Sequence, residues 1–372
     1  MGYESKVVLL GPVESDDPND VIRGNSRELT SSEWWRSLGL DGVIMVAWGL
    51  DKDTPVVRAI AESGTPIVLH IDGSNVHYPF FEWIATFKTM WRGEHDMPYG
   101  FARKGASFLV RLAKATIFSL FKHSYLKYRQ LRYLSLLSCQ TPTSAKGNSG
   151  LCIRFGGNDH GVKILTNGYP IPESYKWDGS VEKEKIIIAI GRWDDLRQKR
   201  PFVLMSVCEA IARKHPDLKI HIFGKKIEAF DHWLARLETD VREQIIVHGF
   251  QPGEKMAEVL QRSQISFFPS SSEGGPQALF EGLSCGATTV ALDSPHLPGA
   301  RWAAEQGHAE LAGSDTTESY VAALDRALQK WERGDVDAQQ VSDFWRSKTQ
   351  LNLLLERMMS AVAEGRVPQE SR

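Results

Sequence analysis

The sequence predicts an α/β protein built from two domains, each a parallel sheet covered by helices on both faces. The chain has 372 residues, more than twice the length of a usual domain of about 150 residues. Its 42% hydrophobic and 24% charged residues are average for a globular protein. Short apolar segments alternate with helical segments along the chain, which is typical of doubly wound sheets.

The first half contains a series of apolar strands. Strands are predicted over 6–11, 41–49, 65–73, 136–140 and 161–172, and a helix over 54–63. Nearly continuous apolar strands belong to sheets that are buried on both faces. The proline-containing stretch 171–185 predicts a linker. We therefore assign residues 1–172 to an N-terminal domain and 173–345 to a C-terminal domain. Residues 346–372 are assigned to a helix that returns toward the first domain, followed by a short tail.

The second half repeats the strand-helix alternation five times. Strands are predicted over 184–191, 218–224, 245–250, 265–270 and 287–293. Helices are predicted over 201–215, 254–262, 277–284 and 317–330, and one more follows the strand 218–224 and runs through residue 233. One amphipathic helix is expected over 344–364. Open parallel sheets bind ligands beyond the C-terminal ends of their strands. A cleft is therefore expected between the loops 192–200, 224–228, 249–253 and 270–277.

One loop and the helix after it combine two carboxylates with a candidate anion site. Its candidate donor-binding residues are Glu273, Gly274, Gly275, Pro276, Gln277 and Glu281. The two glycines let a ligand approach the backbone, and the proline suits a helix start whose dipole favours an anion such as a diphosphate. Carboxylates beside such an anion are expected to accept hydrogen bonds from hydroxyl groups. A sugar on one side and a ribose on the other satisfy this arrangement.

A second loop supplies cations. Arg192 follows a strand and Lys199 precedes a helix, so both are expected to reach the same cleft and to neutralise a departing diphosphate. Arg197 and Arg200 compete for that role. Two adjacent aspartates in this loop have no third ligand beside them, so no bound metal is expected.

The first half offers fewer candidates. His70 ends a strand, where an imidazole either hydrogen-bonds a reacting sugar or acceptor or is a satisfied core residue. Asp72 is a candidate for binding acceptor hydroxyls. Gly11 either lets the backbone approach the ligand or marks a tight turn.

Residues 97–158 contain no Asp or Glu but ten basic residues, which leaves −12 for the rest of a chain of net charge −2. The cations are Arg103, Lys104, Arg111, Lys114, Lys122, Lys127, Arg129, Arg132, Lys146 and Arg154. Aromatic residues between them predict a basic surface that meets an anionic membrane or the acceptor. The alternative is a pair of packed helices with their cations in water. Nucleic acid is not an expected partner, because no nucleic-acid-binding signature accompanies the charge.

Neither a secretion signal nor a membrane span is predicted, since the N-terminus lacks a long apolar run and no stretch of about 18 uncharged apolar residues occurs. Four widely spaced cysteines indicate neither a disulfide framework nor a zinc site. We expect a cytoplasmic protein that associates peripherally with the inner face of the membrane.

Together these motifs resemble the retaining GT-B glycosyltransferases of family 4. FFPSSSEGGPQALFEGLSCGATTVA resembles the family's E-x7-E region, IIAIGRWDDLRQKRP its G-R…K segment, and VKILTNGYPI its interdomain Asn-Gly strand. The likeness covers residues 162–293. Upstream it consists of the strand order and the strand-end position of His70.

The resemblance implies two Rossmann-like domains with a cleft between them. It also implies metal-independent transfer, with retention, from a UDP- or GDP-sugar to a glycan or lipid-linked acceptor. Arg192 and Lys199 would hold the diphosphate, Glu273 the transferred sugar and Glu281 the ribose. Gly-Gly-Pro-Gln replaces the family's commoner Gly-Phe-Gly-Leu-Pro after Glu273, which leaves the donor sugar open. Two alternatives remain: a sugar-nucleotide epimerase, and a binding subunit without turnover.

Overall fold

The computed structural model describes residue 4 and residues 6–11, 18–47, 51–71, 83–95, 97–118, 124–157 and 161–364. Two parallel sheets organise these residues, one of four strands in the first half and one of six strands in the second. Helices cover both sheets, so the chain has the two-domain α/β architecture that the sequence predicts. We call the two halves the first and the second domain.

The first domain contains six strands, four of which form its main sheet. Its strands are β1 (Val7–Leu10), β2 (Val21–Gly24), β3 (Val43–Ala47), β4 (Ile67–Ile71), β5 (Leu136–Cys139) and β6 (Lys163–Thr166). Its helices are α1 (Ser26–Leu29), α2 (Ser32–Ser37), α3 (Thr54–Glu62), α4 (Trp83–His95), α5 (Phe101–Phe118), α6 (Ser124–Leu131) and α7 (Pro142–Gly156). Strands β3 to β6 pair in parallel in chain order.

The first strand lies outside this sheet. β1 pairs with β2 in a separate two-stranded sheet. Val7, Leu9 and Leu10 are exposed, whereas all five residues of β4 are buried. The expectation that the strand over 6–11 belongs to a sheet covered on both faces is therefore wrong.

The second domain is built on the six-stranded sheet. Its strands are β7 (Glu184–Ile190), β8 (Lys219–Phe223), β9 (Ile245–Gly249), β10 (Ser263–Phe268), β11 (Thr288–Leu292) and β12 (Ala309–Ala312). Its helices are α8 (Pro201–Lys214), α9 (Glu228–Leu234), α10 (Thr239–Gln244), α11 (Gly253–Arg262), α12 (Gln277–Ser284), α13 (Pro298–Glu305), α14 (Thr317–Glu332) and α15 (Ala338–Thr349). The strand order is β12-β11-β10-β7-β8-β9. All strands are parallel, but successive strands are added on one side of β7 up to β9 and on its other side from β10 onward. Ligands of doubly wound sheets bind where the strand order changes sides in this way.

The C-terminal segment forms two helices instead of the single helix that the sequence predicts. α15 ends at Thr349, and α16 (Leu351–Glu364) begins after Gln350. Gln350 is extended and pairs with Ile171, which interrupts the helical hydrogen bonds. α15 packs against α12 of the second domain, whereas α16 packs on the first-domain sheet at Val68 and Leu136. Within the described residues, no helix is long and apolar enough to cross a bilayer.

Candidate active site

A cavity of about 1260 Å³ lies at the C-terminal ends of the second-domain strands. All four loops that the sequence places around the cleft contribute to its lining, and Gln140 and Tyr169 contribute from the first domain. Eight of the predicted site residues line it: Arg192, Lys199, Glu273, Gly274, Gly275, Pro276, Gln277 and Glu281.

The loop 192–200, which we call the cationic loop, meets the loop 270–277, which we call the carboxylate loop. They meet because β7 and β10, the strands before them, are neighbours. The backbone N–H of Ser271 donates to the carbonyl of Gln198 at 2.9 Å, and its hydroxyl donates to the carbonyl of Arg197 at 2.9 Å. The Gln198 amide returns a hydrogen bond to the carbonyl of Ser272 at 3.0 Å. These bonds join the two loops into one surface.

Lys199 and Glu273 form a direct ion pair within the cleft. The Gln198 amide also donates to Glu273, at 3.0 Å, and both ionic side chains are largely shielded from solvent. The backbone N–H of Glu273 is fixed by the carbonyl of His296 at 2.8 Å. The cation and the carboxylate neutralise each other in this ion pair, so a bound diphosphate would compete with Glu273 for Lys199.

Glycine is required where the carboxylate loop enters α12. A Cβ on Gly275 would lie 2.8 Å from the ring of Phe280 and 3.2 Å from the side chain of Gln140. Pro276 and Gln277 then bring the N-terminus of α12 to the cavity wall. Peptide dipoles point their positive ends outward at a helix N-terminus, which makes this wall favourable for an anion.

Glu281 lies in the second turn of α12 and is 4% exposed. The Gln277 amide donates to it at 2.8 Å, and the Tyr175 hydroxyl is its other side-chain partner. Burial raises the pKa of Glu281 to about 7, although these two hydrogen bonds favour the charged form. A carboxyl that titrates near neutrality in a cleft is typical of a functional position.

The other two cations of the loop are engaged elsewhere. Arg197 donates to Glu94 of α4 at 3.1 Å, and buried Arg200 donates to Asp315 at 2.6 Å. Neither lines the cavity, so the geometry favours Arg192 and Lys199 over these competitors.

Of the first-domain candidates, the two that the structure describes, His70 and Gly11, do not line the cavity. His70 is buried, and its Nδ1 lies 2.9 Å from the hydroxyl of Ser138. Its ring meets Tyr169 edge to face with the centroids 6.4 Å apart, so it lies behind a cleft residue. Gly11 follows β1, whose separate sheet keeps it out of the cavity lining. Asp72 lies outside the described residues.

Several residues in or next to the cavity are missed by sequence analysis. Tyr175 lies in the predicted linker and is buried against the second domain, where it contacts Glu281. Phe250 is 86% exposed at the cleft. Lys225 also lines the cavity and pairs with Asp194 at 2.7 Å. An aromatic residue directly after a strand is the signal that would have found Phe250. Among the described residues, no cluster of metal-ligand side chains occurs.

Comparisons with known proteins agree with this geometry. Residues 172–338 match the family model described as glycosyl transferases group 1, and no curated protein matches the sequence. The pneumococcal O-GlcNAc transferase GtfA, solved with UDP and GlcNAc, is 15% identical with a TM-score of 0.55; the alignment covers 90% of this chain and 59% of that one. An S. aureus TarM mutant, solved with fondaparinux, α-GlcNAc-glycerol and UDP, is 14% identical with a TM-score of 0.56, over 89% and 58% of the two chains.

A UDP-forming α,α-trehalose-phosphate synthase from Burkholderia vietnamiensis is 11% identical with a TM-score of 0.57, over 91% of this chain and 76% of that chain. The protein thus spans about three fifths of the length of the GtfA and TarM structures. These likenesses confirm the predicted fold. The chain has the two-domain GT-B fold, and its second domain is similar to the glycosyl transferases of group 1.

Proposed function

We propose that the protein transfers a sugar, with retention and without a bound metal, from a nucleoside diphosphate sugar to a hydroxyl of a glycan or lipid-linked acceptor. The observation that carries this proposal is the gathering of Lys199, Glu273, Glu281 and the N-terminus of α12 around one cavity. All of these lie within the region similar to glycosyl transferases of group 1.

Each donor group has a place in this proposal. The diphosphate is bound by Arg192, Lys199 and the N-terminus of α12, all of which favour negative charge. Glu273 contacts the hydroxyls of the transferred sugar, and Glu281 contacts those of the ribose. Phe250 offers an exposed ring on which the base of UDP or GDP can stack.

The proposed transfer breaks the bond between sugar C1 and the diphosphate oxygen. The acceptor hydroxyl oxygen bonds to C1 on the same face, and its proton passes to the departing phosphate oxygen. Negative charge grows on the diphosphate as this bond breaks, so fixed cations beside it stabilise the transition state. His70 and Asp72 are proposed for the acceptor side, where His70 would act through the cleft residue Tyr169, whose ring it meets edge to face.

A thermal-shift screen of nucleotide sugars tests the proposal directly. A donor present at 100 times its Kd is expected to stabilise the protein by about 2.7 kcal/mol. UDP- or GDP-sugars should give the largest shifts, and the best donor should then give a glycosylated product with a matching acceptor. Release of an epimerised sugar nucleotide would favour the epimerase, binding without any product would favour the non-catalytic subunit, and no binding would contradict all three.

We further propose that α5 docks on an anionic membrane surface, which places the protein at the cytoplasmic face. One side of α5 exposes an apolar strip that includes Leu109 and Val110, which are 63% and 56% exposed. Exposed Arg103 and Lys114 lie along its edge. An apolar strip with cations beside it complements anionic headgroups above acyl chains.

Not every cation of the acid-free segment belongs to this surface. Lys127, which the charge pattern places there, is only 2% exposed, and Arg111 pairs with Glu94 at 2.7 Å. Lys122 lies outside the described residues. Packing of α6 against the first-domain core accounts for the burial of Lys127. The docking surface is therefore the outer side of α5 and not the whole segment.

Co-sedimentation with vesicles checks this surface. Changing Arg103 and Lys114 together to glutamine should weaken binding to anionic vesicles by roughly 30-fold, because each cation near the leaflet contributes about 1 kcal/mol. Changing Lys219 and Arg236, two exposed cations of the second domain, should have little effect. Equal, salt-insensitive sedimentation with neutral and anionic vesicles would leave α5 as a face for a protein partner or a second copy.

A further inference from the structure

Glu94, near the end of α4, is a fully buried carboxylate on which both domains converge. Within the first domain it accepts hydrogen bonds from the Tyr99 hydroxyl at 2.5 Å and from Arg111 at 2.7 Å. From the second domain, the Nε of Arg197 donates to it at 3.1 Å, and a terminal nitrogen of Arg197 donates to the Tyr99 hydroxyl at 2.8 Å. One guanidinium of the second domain is therefore bound by two groups of the first.

A second ionic contact between the domains involves Arg92, two residues before Glu94 on α4. Arg92 of α4 pairs with Asp315 at 3.0 Å, and Asp315 also binds Arg200. Between these contacts the backbones come close, because a Cβ on Gly93 would lie 3.5 Å from the carbonyl oxygen of Arg197. Helix α4 thus meets the cationic loop directly at Arg197 and, through Asp315, at Arg200.

Lys199 lies between these two arginines in the chain. The carbonyl of Arg197 accepts from the Ser271 hydroxyl, and the side chain of the next residue, Gln198, reaches Glu273. Lys199 itself pairs with Glu273. A shift of the Arg197 backbone would therefore move both partners of the ion pair that faces the donor site.

Glu94 is ionised at neutral pH. Burial opposes the charged form, but hydrogen bonds from Tyr99 and Arg111, together with the charge of Arg197, lower its pKa to about 2. The carboxylate stays ionised through the neutral range, and a buried charge whose partners are all in place resists displacement.

We propose that Glu94 and Arg197 are positioning residues that hold the cationic loop, and with it Lys199, in the geometry that binds the donor diphosphate. This inference rests on the proposed function, and it assigns the first domain a part in donor binding that does not involve contact with the donor. Because the two residues belong to different domains, donor affinity depends on how the domains meet.

The test measures UDP and GDP binding to the full chain by calorimetry. Glu94→Gln keeps the shape of the side chain and removes its charge, and we expect about tenfold weaker binding of the nucleotide that binds the wild type. Arg197→Gln, at a side chain that is 41% exposed, should show a similar loss. Glu209→Gln is the matched control, since Glu209 pairs with Arg213 on the exposed side of α8.

A second background separates positioning from general destabilisation. If Glu94 acts through Lys199, Glu94→Gln should cost little further affinity in a Lys199→Ala protein, whereas a merely structural defect would cost the same in both backgrounds. Equal losses, or wild-type affinity in both Glu94→Gln and Arg197→Gln, would overturn the inference alone. Failure of the wild type to bind any nucleoside diphosphate would overturn the proposed function and this inference together.

Discussion

Replacing Lys199 with alanine is expected to lower the rate of sugar transfer by about 100-fold or more. Lys199 is largely buried in the cleft beside Glu273, where a fixed cation interacts with developing charge more strongly than it would in water. Removal of one preorganised electrostatic group typically costs about 10² to 10³ in rate. Arg192→Ala should lower the rate in the same way, because Arg192 leaves the end of β7 toward the same cavity.

Steady-state rates with the donor found by thermal shift provide the measurement. Lys226→Ala is the control, since Lys226 is exposed, pairs with Asp231 and does not line the cavity. EDTA should change the rate little if the protein's own cations stabilise the leaving group. Strict dependence on added Mg²⁺ or Mn²⁺, with Lys199→Ala as active as the wild type, would contradict this assignment.

Alanine substitutions of the two cleft carboxylates, Glu273 and Glu281, are expected to impair different properties of the protein. Glu273→Ala should lower turnover by about 100-fold while UDP or GDP binds as well as before or more tightly, because the substitution frees Lys199 from its ion pair. Glu281→Ala should instead weaken binding of the nucleoside diphosphate itself. If both variants kept affinity and rate within about twofold of the wild type, the division of roles would be wrong.

The pH dependence of Glu281 sharpens this test. Its folded-state pKa of about 7 lies above its ordinary value of 4.5, so folding favours the protonated form of this carboxyl. That contribution to stability is fully present below pH 4.5 and is lost as the pH rises through 7, on the order of 3 kcal/mol in all. Ribose hydroxyls donate to the charged form, so nucleotide affinity should rise across the same range.

Glu281→Gln is the matched comparison for this titration. The variant should lose both pH dependences, and the titration of the nucleotide's own phosphate cancels when the two proteins are compared. Chemical denaturation and calorimetry at several pH values between about 5 and 8 measure the two effects separately. Identical pH profiles for wild type and variant would show that Glu281 does not titrate in this range.

Local sequence signals predicted the second domain well. Pro276 before an apolar helical run predicts α12 with the bounds that the structure has, and four strand-end loops were enough to locate the cleft. The strand β12 is not predicted from the sequence, because it has only four residues and includes a glutamate. So short a segment has too little apolar periodicity to be recognised as a strand.

The remaining features depend on contacts between distant parts of the chain. Glu94 and Arg197 are 103 residues apart, and no local pattern marks either as the other's partner. Tyr175 looks like part of a linker, and only packing against the second domain brings it to Glu281. Gly11 likewise lies outside the cavity lining because β1 pairs with β2, and no residue beside Gly11 in the sequence indicates this pairing.

The two chain crossings between the domains run side by side. Ile171 donates to the carbonyl of Thr349 at 2.9 Å, and Gly168 donates to that of Lys348 at 2.8 Å. A Cβ on Gly168 would lie 2.6 Å from the methyl group of Thr349, so only glycine permits this approach. A rotation of the domains about an axis through these two adjacent, hydrogen-bonded connections would leave both connections intact. The cleft loops, further from that axis, travel further in any such rotation than the crossings themselves.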